Sequence, residues 1–160
     1  MTRNLAALVA AGGLLVGIVT LASGTLMEAQ AADAAGDFAA ANQCSNRTLR
    51  GSYGFSIEGT ILAGTPNAFL VRGVAMTQYD GNGNLSQLDF TTRNGMPFSP
   101  DWRAGSGSYE INPDCTGSAL IIQSDGTPSV NLRLVVVDSG REVRATVVGN
   151  ATSSVGIRVH

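Results

Sequence analysis

Much of the chain after residue 43 alternates between apolar and polar residues with a period of two. In 51–59, Tyr53, Phe55 and Ile57 fall on one face, and small or polar residues fall on the other. Such alternation is typical of a β-strand with one buried face. Seven further segments have strand-like composition or the same period: 67–80, 85–92, 107–112, 118–123, 130–138, 141–149 and 154–160. Without a convincing helical period in this region, the pattern predicts an all-β domain of about eight strands.

The phase of each strand predicts which side chains point toward the interior. In 85–92 the apolar positions are Leu88 and Phe90, and in 107–112 they are Tyr109 and Ile111. Because successive side chains of a strand point to opposite faces, each of these pairs shares one face of its strand. We therefore expect all four side chains to face the core.

The segment 79–85, YDGNGNL, has oxygen-bearing side chains at alternate positions, as a calcium-binding loop does. A loop of the EF-hand type needs glycine at position six and glutamate at position twelve. Counted from Asp80, these positions hold Leu85 and Thr91. The Gly and Asn residues here are those that favour a tight turn between strands. We predict a turn and no metal site.

The connections between the predicted strands fall into two groups. In an up-and-down meander, alternate connections lie at the same end of the sheet. One end then receives the tight turns at 80–84, 112–117 and 138–141. The other end receives the longer connections at 62–68, 94–105, 124–129 and 149–153.

This arrangement brings the two cysteines to the same end. Cys44 precedes the first strand at the tight-turn end, and Cys115 lies in a turn at that end. An even pair of cysteines in an exported chain is most simply one disulfide. The agreement favours an antiparallel up-and-down meander, most economically a closed calycin-like barrel without free edges. A β-sandwich is the alternative.

The N-terminal region predicts export. One positive charge at Arg3 precedes an apolar run from Leu5 to Met27, and Ala29-Gln30-Ala31 fits a signal-peptidase site. We therefore divide the chain into a signal peptide at 1–31, a flexible Ala-rich leader at 32–43 and a β-barrel domain at 44–160. An uncleaved membrane anchor is the alternative for the apolar run. After cleavage, we expect a periplasmic or extracellular bacterial protein without membrane contact.

Composition removes several classes of function. The chain has ten basic residues, all arginine, against twelve acidic residues, so the basic surplus of a nucleic-acid-binding protein is missing. The only histidine is the C-terminal His160. A Ser-His-Asp triad therefore lacks a histidine inside the fold. A zinc site built from His and Cys clusters lacks its ligands. We predict no cofactor and no nucleic-acid partner, and the oligomeric state stays open.

Four runs of the sequence carry a resemblance to a known group: GSYGFSIEG, YDGNGNLS, GSYEINPDCTGSA and VVVDSGREVRAT. They resemble those of small exported bacterial proteins that are similar in plan to calycin and allene-oxide-cyclase-type barrels. The resemblance covers about residues 44–159 and rests mostly on turns. It implies a fold, and no catalytic residue set can be carried across.

Three hypotheses about function remain. The first is a barrel that binds a small apolar ligand, with its mouth at loops 62–68 and 94–105. The second is a cyclase or isomerase that uses Tyr53, Tyr109 or Glu110 as its acid or base. The third is a structural or protein-binding domain whose interior is packed. The ligand-binding candidates are Tyr53, Phe55, Phe90, Met96, Phe98, Trp102 and Tyr109.

Each of these candidates also has a purely structural interpretation. The strand residues could fill the barrel, and the apolar residues of loop 94–105 could fold down as a plug that completes the core. Loops at an open barrel end could equally form a lid or an entrance. A hollow interior would favour the first two hypotheses over the third. An ionisable side chain in that interior would favour the enzyme over the binding protein.

Overall fold

The computed structural model describes residues 43–160. The predicted signal peptide and the leader up to residue 42 lie outside the described residues. Two short 3₁₀ helices, Asn46–Leu49 and Asp138–Gly140, accompany the strands. The strands are β1 (Gly51–Ile61), β2 (Phe69–Tyr79), β3 (Asn84–Arg93), β4 (Met96–Pro97), β5 (Arg103–Ile111), β6 (Thr116–Gln123), β7 (Val130–Val137), β8 (Glu142–Val147) and β9 (Ala151–Arg158). Within 43–160, no helix is long and apolar enough to cross a membrane.

Eight antiparallel strands form a closed barrel. Each long strand pairs with the next one along the chain, and β9 pairs with β1 to close the sheet. The two-residue β4 pairs only with the end of β3. The predicted up-and-down meander is confirmed, and the sandwich alternative is not adopted.

The predicted phase is right for β1 and β5. Tyr53 and Phe55 are buried, and so are Tyr109 and Ile111. These side chains form a single core cluster with apolar residues from the other strands. The aromatic rings pack edge to face: the centroids of Tyr53 and Tyr79 lie 5.4 Å apart.

The predicted phase is wrong for β3. Leu88 is 49 % exposed, whereas its neighbour Asp89 is only 2 % exposed. Phe90 shares the outer face with Leu88 because the strand alternates. The prediction failed because it assumed that apolar residues point inward. Here Asp89 and Thr91 point inward, where both hydrogen-bond to Arg103 on β5, and Asp89 also bonds to Gln123 on β6.

The last strand, β9, also presents its apolar residues to solvent. Val155 and Ile157 are about half exposed, and the buried position between them is Gly156. A Cβ atom added to Gly156 would lie 2.4 Å from Cζ of Phe55. The glycine therefore makes room for the Phe55 ring inside the barrel.

The boundary of β5 differs from the prediction. The strand begins at Arg103 instead of at residue 107, so its first three residues come from the segment 94–105 that was predicted as loop. This part of the sequence is rich in Gly and Ser, which weaken a strand signal. The shift matters because it places Arg103 within the barrel wall.

The tight-turn end of the barrel is closed. Cys44 and Cys115 form the predicted disulfide. The 3₁₀ helix that follows Cys44 lies against this end, where Leu49 is fully buried. Asn46 Oδ1 accepts a hydrogen bond of 2.8 Å from the backbone N–H of Ile111, which ties the helix to β5.

The segment that starts at Asp80 is a turn. The Asp80 carboxylate accepts hydrogen bonds from the Asn84 side-chain amide at 2.7 Å and from the backbone N–H groups of Asn82 and Asn84 at 2.7 and 3.0 Å. These bonds hold the pKa of Asp80 below its ordinary value, and the bond from the Asn84 side chain has the largest effect. Gly81 and Gly83 supply the positive φ angles, 83° and 104°. The carboxylate oxygens of Asp80 thus stabilise the turn by accepting hydrogen bonds within it.

Candidate functional site

A cavity of about 470 Å³ occupies the barrel interior above the core cluster. Strands β1, β7 and β8 contribute apolar side chains that we call the apolar wall, and β9, which lies between β1 and β8, contributes Thr152 and Ser154. The apolar wall consists of Phe55, Ile57, Leu132, Leu134, Ala145 and Val147. The small side chain of Ala145 leaves space in this wall that a larger residue would fill.

The cavity reaches the end of the barrel with the longer loops, which we call the mouth. Phe69 and Phe98 stand on one side of the mouth, with ring centroids 6.1 Å apart. The Arg93 guanidinium lies 4.0 Å from the centroid of the Phe69 ring. Pro128 and Val148 line the cavity from the loops of the other side. The mouth therefore has apolar side chains on both sides, next to polar residues such as Thr127, Ser129 and Asn150.

The side of the cavity formed by β3, β5 and β6 is polar, and we call it the polar wall. It consists of Gln87, Asp89, Thr91, Arg103 and Gln123. Asp89 and Arg103 are cross-strand neighbours in the register of β3 and β5. Buried polar groups are tolerated when they bond to one another, and these side chains do so.

The Asp89 carboxylate is the centre of the polar wall. Its Oδ1 atom accepts a hydrogen bond of 2.9 Å from Arg103 Nε. Its Oδ2 atom accepts from Gln123 Nε2 at 2.9 Å and from Gln87 Nε2 at 3.2 Å. Arg103 also donates through Nη2 to Thr91 Oγ1 at 3.1 Å. Three donors thus fix the position of the Asp89 carboxylate in the wall.

A glycine allows the two glutamines to converge on Asp89. In the register of the sheet, Gly105 on β5 lies between Gln87 on β3 and Gln123 on β6. A Cβ atom added to Gly105 would come within 2.9 Å of Gln123 Oε1. A larger residue at 105 would therefore push the Gln123 side chain out of place.

Two of the predicted ligand-binding residues line the cavity. Phe55 contributes to the apolar wall, and Phe98 contributes to the mouth. Tyr53 and Tyr109 lie at the closed end instead, outside the cavity lining. The Tyr53 hydroxyl donates to the Gly140 carbonyl, and the Tyr109 hydroxyl donates to the Asn46 carbonyl at 3.0 Å. Burial raises the pKa of both tyrosines, so both phenols stay protonated as structural donors.

Three other predicted ligand-binding residues lie outside the cavity lining. Trp102 is 57 % exposed, and its ring packs against Phe90 with centroids 6.0 Å apart. Met96 is exposed in the short strand β4. Glu110, the predicted acid or base, is exposed on the outer face of β5. The structure thus does not bring these residues together with Phe55 and Phe98.

The sequence analysis missed the polar wall. A signal for it was present, because Gln87, Asp89 and Thr91 recur with a period of two in β3. That period identifies a common face but does not decide whether the face points inward. The partners on β5 and β6 are 14 and 34 residues from Asp89 in sequence.

Comparison with known proteins adds no assignment. The chain matches no protein-family model, no curated protein and no solved structure.

Proposed function

We propose that this protein is an exported barrel that binds a small, largely apolar ligand in its interior and admits it through the mouth. The observation that carries the proposal is the cavity of about 470 Å³ between the core cluster and the long loops. Small-molecule sites commonly measure about 300–1,000 Å³ and have mostly apolar linings with a few polar groups. A purely structural role would require a packed interior, and a cavity of this size argues against it.

Export to the periplasm or the extracellular space is part of the proposal. It is supported by the Cys44–Cys115 disulfide, because such bonds persist in oxidising compartments. The apolar run at residues 5–27 supports it from the sequence side. A binding protein in such a compartment meets apolar molecules that enter from outside the cell.

Filling the cavity tests this function. Ala145 is buried in the apolar wall, and Ala145→Leu would place three additional carbon atoms in the cavity. We expect titration with a fluorescent apolar dye to show saturable binding in the original protein and at least tenfold weaker binding in the variant, since the dye and the leucine compete for space.

The matched control is Ala104→Leu, which makes the same change on the outer face of β5. Ala104→Leu should leave dye binding unchanged. Equal binding by the original protein and both variants would place the dye on the outer surface and contradict the proposal. Thermal unfolding of each variant would show that the barrel is still folded.

One observation favours a second candidate, a cyclase or isomerase on the same scaffold. Asp89 and Arg103 are ionisable groups in the cavity wall, where an acid or base could act on a bound molecule. Tyr53, Tyr109 and Glu110 do not line the cavity, so an enzyme on this barrel would use the buried ion pair. Chemical change of a bound ligand, lost in Asp89→Asn, would support the enzyme over the binding protein.

A further inference from the structure

The cavity has two chemically different sides, and this division restricts what it can bind. The apolar wall lies on β1, β7 and β8, and the polar wall lies on β3, β5 and β6. A purely apolar ligand would leave the polar wall facing hydrocarbon, which is unfavourable. A ligand with one polar edge and an apolar body would match both sides.

The charges of the polar wall indicate that the polar edge is uncharged. Among the described residues that line the cavity, the charged ones are Asp89 and Arg103. Arg103 is paired with Asp89 at 2.9 Å and also reaches Asp125 at 3.4 Å. Because two carboxylates already surround the Arg103 guanidinium, no surplus positive charge remains in the cavity lining for an anionic ligand. A cationic ligand would have to compete with Arg103 for Asp89.

The unpartnered atoms of the cavity lining indicate what the ligand must supply. Gln123 Oε1 is buried and has no hydrogen-bond partner within residues 43–160. A carboxylate only accepts hydrogen bonds, so the side-chain nitrogen of Gln123 must face Asp89. This bond fixes the orientation of the amide. The oxygen that remains can only accept, so the group that is missing is a donor.

Two further buried oxygens in the lining, Asn150 Oδ1 and Thr152 Oγ1, also have no partner among the described residues. Thr152 lies on β9 and is 5 % exposed. Buried polar atoms without partners are uncommon in folded proteins and call for an explanation such as a ligand. Gln123 and Thr152 both line the cavity, near its mouth.

From these observations we infer that the ligand is an uncharged amphipathic molecule that carries a hydroxyl or amide N–H group. Its polar group binds at the polar wall, where it donates to Gln123, and its apolar body lies against the apolar wall. This inference rests on the proposed function, because it names the ligand class of the same cavity. It also predicts discrimination against carboxylates and other anions of the same shape.

Three probes of matched shape test the inference: naphthalene, 2-naphthol and 2-naphthoate. At neutral pH, 2-naphthol is uncharged and 2-naphthoate carries a negative charge. We expect 2-naphthol to bind about tenfold more tightly than naphthalene, which corresponds to one net hydrogen bond. We expect 2-naphthoate to bind more weakly than naphthalene. Calorimetric or fluorescence titration at constant ionic strength would measure all three affinities.

Gln123→Leu removes the unpartnered acceptor while it keeps a side chain of similar volume. In this variant, 2-naphthol should bind no more tightly than naphthalene, because the acceptor that distinguishes the two probes is gone. The matched control is Gln78→Leu, which makes the same change on the outer face of β2. It should alter neither affinity. The ranking of the three probes on the original protein tests the inference even if Gln123→Leu does not fold.

The outcomes separate this inference from the proposed function. Equal affinities for naphthalene and 2-naphthol would overturn the inference and leave the binding function standing. Tightest binding of 2-naphthoate would overturn it as well, because Arg103 would then be selecting an anion. Loss of both naphthalene and 2-naphthol in a folded Gln123→Leu variant would mean that Gln123 shapes the cavity and does not recognise a donor. Failure of all three probes to bind would overturn the inference and the proposed function together.

Discussion

Arg103 donates a hydrogen bond of 2.9 Å to Asp89 across the paired strands β3 and β5, within the wall of the cavity. The two side chains are 13 % and 3 % exposed. Burial of one such charge without its partner is costly, whereas a bonded pair is tolerated. Each of the two charges therefore depends on the other, and together they make this part of the cavity wall polar.

Removal of one member of this pair should destabilise the protein more than removal of both. We expect Asp89→Leu to lower the free energy of unfolding by about 3–5 kcal/mol, because Arg103 is then left with a weaker partner in the barrel wall. The double variant Asp89→Leu/Arg103→Leu should recover part of that loss. Urea unfolding followed by circular dichroism measures both effects. A double variant less stable than Asp89→Leu would count against this interpretation.

Two aromatic residues of the same loop should respond differently to truncation. Phe98 lines the cavity, whereas Trp102 packs on Phe90 outside it. We expect Phe98→Ala to weaken binding of an apolar ligand by about 1–3 kcal/mol, the value of a lost apolar contact. Trp102→Ala is the matched control and should change the affinity little. The opposite order would move the binding site to the outer surface of the loop.

The disulfide should stabilise the closed end of the barrel. It joins cysteines 71 residues apart, and the entropy of closing such a loop corresponds to about 4 kcal/mol. We expect the double variant Cys44→Ser/Cys115→Ser to lose free energy of unfolding of that order. Alkylation without reductant should label neither cysteine of the original protein, and labelling of both would show that the bond is absent.

The Asp80 turn should make stability depend on acid pH. Hydrogen bonds lower the pKa of Asp80 in the folded state, compared with about 3.9 for an unfolded aspartate. Its contribution to stability is therefore present above that unfolded value and is lost as pH falls through the folded pKa. We expect the stability difference between the original protein and Asp80→Ala to be largest near neutral pH and to shrink below about pH 4. Thermal unfolding across this range measures it, and a difference that grows on acidification would contradict it. Calcium should leave the unfolding temperature of both proteins unchanged.

The sequence was sufficient to predict the architecture because turns and alternation are local signals. The tight turns near Asp80, at 112–117 and at 138–141 lie at one end of the barrel, and that order alone brought Cys44 and Cys115 together. The phase of β1 was predictable because Tyr53 and Phe55 stand among small residues. For strands with this contrast, burial follows from the pattern.

The polar wall could not be predicted in the same way. In β3, Leu88 and Phe90 face outward, and Gln87, Asp89 and Thr91 face inward, because the interior is a lined cavity and not a fully packed core. Whether Asp89 can be buried depends on Arg103 and Gln123, which reach it only through the register of β3, β5 and β6. That register is a property of the closed barrel.

The most direct test of the central claim is to find where an apolar ligand binds. The outer surface offers exposed apolar side chains such as Leu88 and Ile122, so binding alone does not identify the cavity. Naphthalene titration followed by methyl NMR would distinguish the two locations. We predict saturable shifts of the methyl groups of Ile57 and Leu132 in the apolar wall, with Leu88 and Ile122 unchanged. Shifts confined to Leu88 and Ile122, or no shifts at all, would contradict the claim that the barrel interior is a ligand-binding site.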